Sequence, residues 1–402
     1  MDKARQDYVY LDWAATAPLC EEAAAAMKPY MAPGLDNLRA GGNANSLYGI
    51  GRDAFDAFEA ARRSIASDLG AQRPSEIIFT SGATESDNMA LFGISIAEAQ
   101  RRRRQAGNKD KVFQVITTAV EHDAVLNPAK RLEAQGFRVR YLKPSKEGFI
   151  IPDALNEVLD EDTVLVSVQM ANSEVGSIMP IQELADCAHK KGAYFHTDAV
   201  QALGKVPINL GQLGVDAASF SAHKIGGPKG VGALYLKART PFEAFLLGGG
   251  QEEGRRSGTQ NVCGAVGFAA ACKASCGLQE SEQKRLSHLR DKMYETVRDD
   301  KRVKATVSIK ANDSRYLPNI VHLMIPGIES ETLILRLDKE GFCVSGGSAC
   351  ASHSLEPSHV LRAMNISDDD AFCALRISMG RYTTEEDINN FLVALGGLLK
   401  NR

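Results

Sequence analysis

Ser219-Phe220-Ser221-Ala222-His223-Lys224, continued by Ile225-Gly226-Gly227-Pro228-Lys229-Gly230-Val231-Gly232, is the stretch on which the reading of this chain turns. A short apolar run ends at a lysine, small residues follow, and a second apolar run begins at 231 with no room for a helix between. The two runs therefore read as strands, one of them antiparallel, with Lys224 held at a strand end. Such an apolar, glycine-rich setting suits a lysine to Schiff-base formation, because burial favours the neutral amine. An ordinary surface lysine is the alternative.

Outward from this point, β-branched runs recur at 76–80, 113–118, 138–142, 164–169, 193–196, 217–220 and 231–236. Helical patterns over 87–105, 152–159 and 181–191 fall in several of the intervals between them. Alternation of this kind builds an α/β fold with a mainly parallel, seven-stranded sheet between helices. After about residue 262 the pattern changes to a charged helix over 279–298, a strand over 319–324, a helix over 330–340 and a final helix after 384. A chain of 402 residues is long enough for two units. The expected division is a large domain over 16–262 and a smaller α+β domain made of 1–15 with 263–402.

Composition narrows the classes. Hydrophobic residues make up 44% and charged residues 24%, and no run approaches the ~20 apolar residues of a membrane helix, so no membrane is expected. A net charge of -3 offers no general field for nucleic acid, and the basic run Arg101 to Arg104 reads as the solvated end of a helix. The N-terminal residues lack the apolar core of a secretory signal, which makes the cytoplasm the expected location. The 8 cysteines include no Cys-x-x-Cys pair and no zinc-like cluster with histidine, so reduced thiols and no metal are expected.

Three further stretches stand at strand ends, where loops of open α/β sheets carry chemistry. Ser81-Gly82-Ala83-Thr84-Glu85-Ser86-Asp87-Asn88 opens a helix with small residues, so backbone amides and the Thr84 hydroxyl can approach an anion; a plain strand-to-helix turn is the alternative. In His196-Thr197-Asp198-Ala199-Val200-Gln201 an acid closes an apolar strand, able either to keep a pyridinium nitrogen protonated or to cap a helix. His122, in Val120-Glu121-His122-Asp123, can stack on a flat ring and pass protons, or be a half-buried histidine with ordinary partners.

Taken in strand order, these points resemble the fold-type I pyridoxal-phosphate enzymes of the aminotransferase class V branch. The resemblance becomes close to the cysteine desulfurases, of NifS and IscS type, with Leu11-Asp12-Trp13-Ala14-Ala15-Thr16-Ala17-Pro18, Gly248-Gly249-Gly250-Gln251-Glu252, Arg256-Ser257-Gly258-Thr259 and Ser345-Gly346-Gly347-Ser348-Ala349-Cys350. It implies that Lys224 carries pyridoxal 5'-phosphate, Asp198 pairs its ring nitrogen, Gln201 and Ser173 contact its ring hydroxyl and His122 stacks on it. Ala83, Thr84, Ser221 and His223 would hold the phosphate. Thr259 would reach the phosphate of a neighbouring subunit, which implies a homodimer.

Asn43, Ser173 and Arg376 are the implied substrate contacts, a guanidinium being suited to a carboxylate through two parallel hydrogen bonds; a structural ion pair is the alternative for Arg376. Cys350 would take sulfur from L-cysteine as a persulfide, leaving L-alanine, and pass it to an acceptor or an iron–sulfur scaffold protein. A selenocysteine lyase or another class V aminotransferase is the rival within the branch. Two departures stand out: Ser173 occupies the place of a second asparagine in Asn172-Ser173-Glu174, and Gly42-Asn43-Ala44-Asn45-Ser46-Leu47-Tyr48 lacks the family's proline and histidine.

Overall fold

The computed structural model describes residues 8–31, 34, 42–347 and 356–400. Its centre is a sheet of 7 strands in the order Ile77–Thr80, Gly232–Leu236, Ala217–Ser221, Tyr194–Asp198, Thr163–Ser167, Gln114–Thr118 and Arg138–Leu142. Gly232–Leu236 runs antiparallel to both of its neighbours and the remaining pairs are parallel. The strands expected from the sequence are all present, within a few residues at their ends.

Successive side chains of a strand point to opposite faces, and here they enter different cores. Ile78 and Val115 pack in one apolar cluster with Met89, Leu91 and Leu165, while Ile77, Phe79 and Ile116 pack in another with Val166, Phe195 and Phe220. Helix Ala83–Ala106 lies over the strands and directs its N-terminus at the strand ends. Gly232 permits that approach: a Cβ there would lie 2.5 Å from the Phe220 carbonyl oxygen and 2.8 Å from the Gly82 Cα. The basic run closes this helix with more than water around it. Arg102 donates to the Glu161 carbonyl at 2.8 Å and Arg103 to that of Lys111 at 3.1 Å.

The smaller unit holds an antiparallel sheet of Lys304–Ala305, Ile320–Met324 and Ala374–Ser378, with Val9–Tyr10 pairing in parallel with Phe342–Cys343. Its core gathers Leu323, Leu333, Leu375, Phe391 and Leu395.

One expectation needs correction. The helix read over 279–298 begins at Val262 and runs for 36 residues to Val297. Its first part, rich in Ala, Gly and Cys, lacks the alternation of charged and apolar faces that marked the second, so periodicity could not find it. Asn261 caps it, its side chain accepting from the Gly264 N–H at 2.9 Å. Ala265, Phe268, Ala271 and Cys272 enter the larger core, and Leu286, Leu289, Met293 and Val297 the smaller one. The expected division at 262–263 thus falls on the first turn of a helix common to both. By length and composition this helix could cross a membrane; its apolar part is instead packed against Glu21–Met27 and Gly49–Asp68.

Candidate active site

A cavity of about 430 Å³ opens at the strand ends, lined by Ala83, Thr84, His122, Ser173, Asp198, Gln201, Ser221, His223 and Lys224 from the larger unit and by Arg376 from the smaller. Topology explains the convergence: each side chain from the larger unit follows or ends a strand, or opens a helix, at the same edge, while Arg376 comes from the middle of Ala374–Ser378 in the other sheet. Two expected contacts are not brought in. Asn43 is exposed and its side chain accepts from the Asn45 N–H at 2.9 Å, and Thr259 is exposed beyond the cavity's lining. Cys350 lies outside the described residues.

One end of the cavity suits a phosphate. Helix Ala83–Ala106 has no side-chain cap, leaving the amides of its first turn at the lining formed by Gly82, Ala83 and Thr84. Ser221 and His223 face the same space, and His223 Nδ1 is 3.0 Å from the Thr16 hydroxyl. Burial lowers this imidazole to about 4, so it is neutral at physiological pH. A neutral ring that accepts from Thr16 at Nδ1 carries its hydrogen on Nε2, a donor suited to an anion.

The other end suits a ring with a basic nitrogen. Asp198 accepts from the Val200 N–H at 2.9 Å; burial raises its pKa, while that donor and the neighbouring Lys224 act against the rise. His122 opens helix Asp123–Ala134 as its N-cap, Nδ1 accepting from the Ala124 N–H at 3.1 Å. Gln201 donates to the Ala14 carbonyl at 3.0 Å, and its buried Oε1 has no partner. Lys224 Nζ donates to the carbonyls of Ala14 and Ala15, at 2.5 and 2.8 Å.

Arg376 is 2% exposed, with Nη2 on Asp12 at 2.9 Å, Nη1 on the Ser173 carbonyl at 3.0 Å and a buried Nε without a partner. The two readings of Arg376 meet in one residue: it is ion-paired and it lines the cavity.

The sequence matches the aminotransferase class-V family over residues 9–391. The chain belongs to that family. Class V members bind pyridoxal 5'-phosphate, and the residues present fit it: an uncapped helix end for the phosphate, a carboxyl for the ring nitrogen, an unpartnered amide oxygen and a lysine amine. Cysteine desulfurase IscS of Dictyoglomus turgidum is 43% identical over 392 residues, covering 98% of this chain and 94% of that one. Among solved structures, a NifS-like protein aligns with a TM-score of 0.87 at 36% identity, covering 98% of this chain and 100% of the other. SspA in complex with cysteine aligns at 0.75 and 30% identity, covering 93% and 99%.

Within this class V site, sequence reasoning passed over three acids. Asp12 lies in the quoted Leu11 to Pro18 stretch yet was given no role. Asp87 stands on the apolar stripe of its helix with Ala90, Leu91 and Ile94, and an acid in that register was the available signal. Glu121 precedes His122 and is buried, its Oε1 accepting from Thr118 at 2.8 Å and from the Gln169 N–H at 2.9 Å.

Burial pushes the Glu121 carboxyl up to about 8 from 4.5, against the pull of those two donors. Between those values the folded protein keeps a proton that the unfolded chain has released, so stability is lost as pH rises through the interval. Glu121→Gln should abolish this loss. We expect its advantage over wild type in urea unfolding to be about 1 kcal/mol at pH 5 and on the order of 4 kcal/mol at pH 8. An advantage independent of pH would show that Glu121 is already ionised when folded.

Proposed function

We infer that the protein is a pyridoxal-phosphate-dependent cysteine desulfurase, which converts L-cysteine to L-alanine and leaves the sulfur as a persulfide on Cys350. The observation that carries this reading is the convergence of Lys224, Asp198, His122 and Arg376 on one cavity, in a chain 43% identical to a protein named cysteine desulfurase IscS.

Bound in the cavity, the cofactor supplies an electron sink for charge that develops at the substrate Cα. Arg376 binds the substrate carboxylate and fixes which bonds at Cα face the ring. Lys224 would be the base positioned to move the Cα proton. Asp198 holds the proton on the ring nitrogen, and His122 covers the ring face and excludes water. The Cys350 thiolate attacks the substrate Sγ: an S–S bond forms and the C–S bond breaks, its electron pair returning to the carbon skeleton, which gains protons to become alanine.

Arg376→Lys keeps a cation but loses the planar fork that reaches Asp12 and the Ser173 carbonyl together. Its kcat/KM for L-cysteine should fall roughly 10- to 100-fold, mostly through KM. An unchanged KM would place the carboxylate elsewhere.

The finer readings belong to the same proposal. Thr259, exposed and outside its own cavity, supports a homodimer in which it reaches the neighbouring site; the exposed Phe245 and Leu247 on the same segment supply apolar surface for that contact. The sulfur acceptor is proposed to be an iron–sulfur scaffold protein, as the resemblance to the IscS type implies. The 7 described cysteines form no disulfide, which supports a cytoplasmic location.

The decisive experiment incubates the purified protein with L-cysteine and a reductant and measures alanine and sulfide together. Equal amounts of both establish desulfuration. A product from selenocysteine alone, or an oxo acid in place of alanine, moves the protein to a different reaction of the same family.

A further inference from the structure

A second cavity, of about 80 Å³, shares Lys224 with the first and lies where the two units meet. The larger unit gives it Leu203 and Lys205, the smaller one Asn319 and Met379, and the helix Val262–Val297 gives it Leu278 and Leu286. Its mouth is at Leu278 and Tyr382, which are 37% and 50% exposed.

Two polar atoms of this lining, Lys205 Nζ and Asn319 Oδ1, are buried and meet no hydrogen-bond partner among the described residues. Asn319 is 1% exposed and is held by its other end, Nδ2 donating to the Met379 carbonyl at 3.2 Å, so its oxygen is the spare acceptor. Lys205 brings donors and no acceptor. Protein interiors seldom leave such groups unmet. Two of them, opposite in hydrogen-bonding sense and facing one small cavity, point to a ligand that carries both an acceptor and a donor.

The neighbouring charges do not answer Lys205. Glu282 shares the lining but is paired with Arg285 at 2.7 Å, and Arg381 is paired with Glu22 at 2.8 Å. Burial keeps the Cys20 thiol above its usual range and therefore neutral. Lys224 adds repulsion: burial and that neighbour lower the Lys205 amine to about 7, a value from which an arriving anion restores the full charge. The occupant that fits is therefore negative where it meets Lys205.

Size and wall set the rest. At about 10–15 Å³ for each water-sized group, the cavity holds roughly six non-hydrogen atoms. Leu203, Leu278, Leu286 and Met379 suit a carbon skeleton. Asn319 needs a donor on the same molecule, and a hydroxyl supplies it without setting a further cation beside two lysines, as an amino group would.

We propose that this cavity binds a short hydroxycarboxylate of two or three carbons, its carboxylate on Lys205 and its hydroxyl donating to Asn319. The site is separate from the reaction in the first cavity and does not depend on it.

The test is calorimetric titration of the holoenzyme with sodium lactate at neutral pH. Lactate should bind saturably in the millimolar range. Lys205→Met, close in shape but uncharged, should weaken it at least about tenfold. Propionate, which lacks the hydroxyl, should bind the wild type about fivefold more weakly than lactate. Because a carboxylate could instead sit on Arg376, the Arg376→Lys holoenzyme is titrated in parallel and should bind lactate as the wild type does. Leu278→Trp, which fills the mouth, should abolish binding, and this keeps the test intact if Lys205→Met does not fold.

Lactate binding that persists in Lys205→Met and vanishes in Arg376→Lys belongs to the first cavity and overturns the proposal. Absence of saturable binding to the wild type overturns it too, and leaves Lys205 and Asn319 to water. Equal affinity for lactate and propionate removes Asn319 from the site, and the hydroxycarboxylate class with it.

Discussion

Replacing Lys224 with alanine is expected to lower kcat for alanine formation by roughly 10³-fold or more, and to remove the visible absorbance of the cofactor attached to the protein. Lys224 lines the cavity beside His122 and Asp198, and the turn Ala222–Ile225 places it at the end of a buried strand, whereas the cavity's other amine, Lys229, lies beyond that turn. The same side chain donates to Ala14 and Ala15, so its loss also unties the N-terminal segment from the strand end. A primary amine added to the Lys224→Ala protein should restore a small part of the rate, because it returns the missing base without the tether. Wild-type turnover by Lys224→Ala would remove the lysine from the mechanism.

The second large effect is expected at Cys350. Cys350→Ala should lower sulfide and alanine release by at least about 10²-fold, while the cofactor remains bound and its band still responds to L-cysteine. The contrast separates the two residues: one variant loses the cofactor's attachment, the other loses only the acceptor for sulfur. Mass spectrometry of wild-type protein after L-cysteine, without reductant, should find one added sulfur atom on the peptide containing Cys350. Sulfur on another cysteine, or a wild-type rate from Cys350→Ala, would contradict the assignment.

The sheet was legible because strands covered on both faces are rich in apolar and β-branched residues, and 77–80, 114–118 and 163–167 are such runs. The reversed strand was legible from its spacing alone, since nothing between 221 and 232 could form a crossover helix. What escaped was whatever depends on three-dimensional neighbours. Val262–Val297 hid its first half because a helix buried on several sides has no polar face to mark its period. Asp87 and Glu121 look like any other acids until the sheet closes over them. Asn43 was carried by resemblance, and the local turn with Asn45 takes its side chain for another purpose. Arg376 was expected for its charge, whereas its pairing with Asp12 joins residues 364 positions apart and leaves no trace in local sequence.

The helix Val262–Val297 joins the two units that line the cavity. At 36 residues and 1.5 Å per residue it is a beam roughly 54 Å long, anchored at one end in the unit that carries Lys224 and at the other in the unit that carries Arg376. The spacing between amine and guanidinium is therefore gauged by a part that never touches the substrate. Amino acids would be sorted by the span from carboxylate to reactive atom, and a kink in the middle of the beam would recalibrate that gauge while every lining side chain kept its identity.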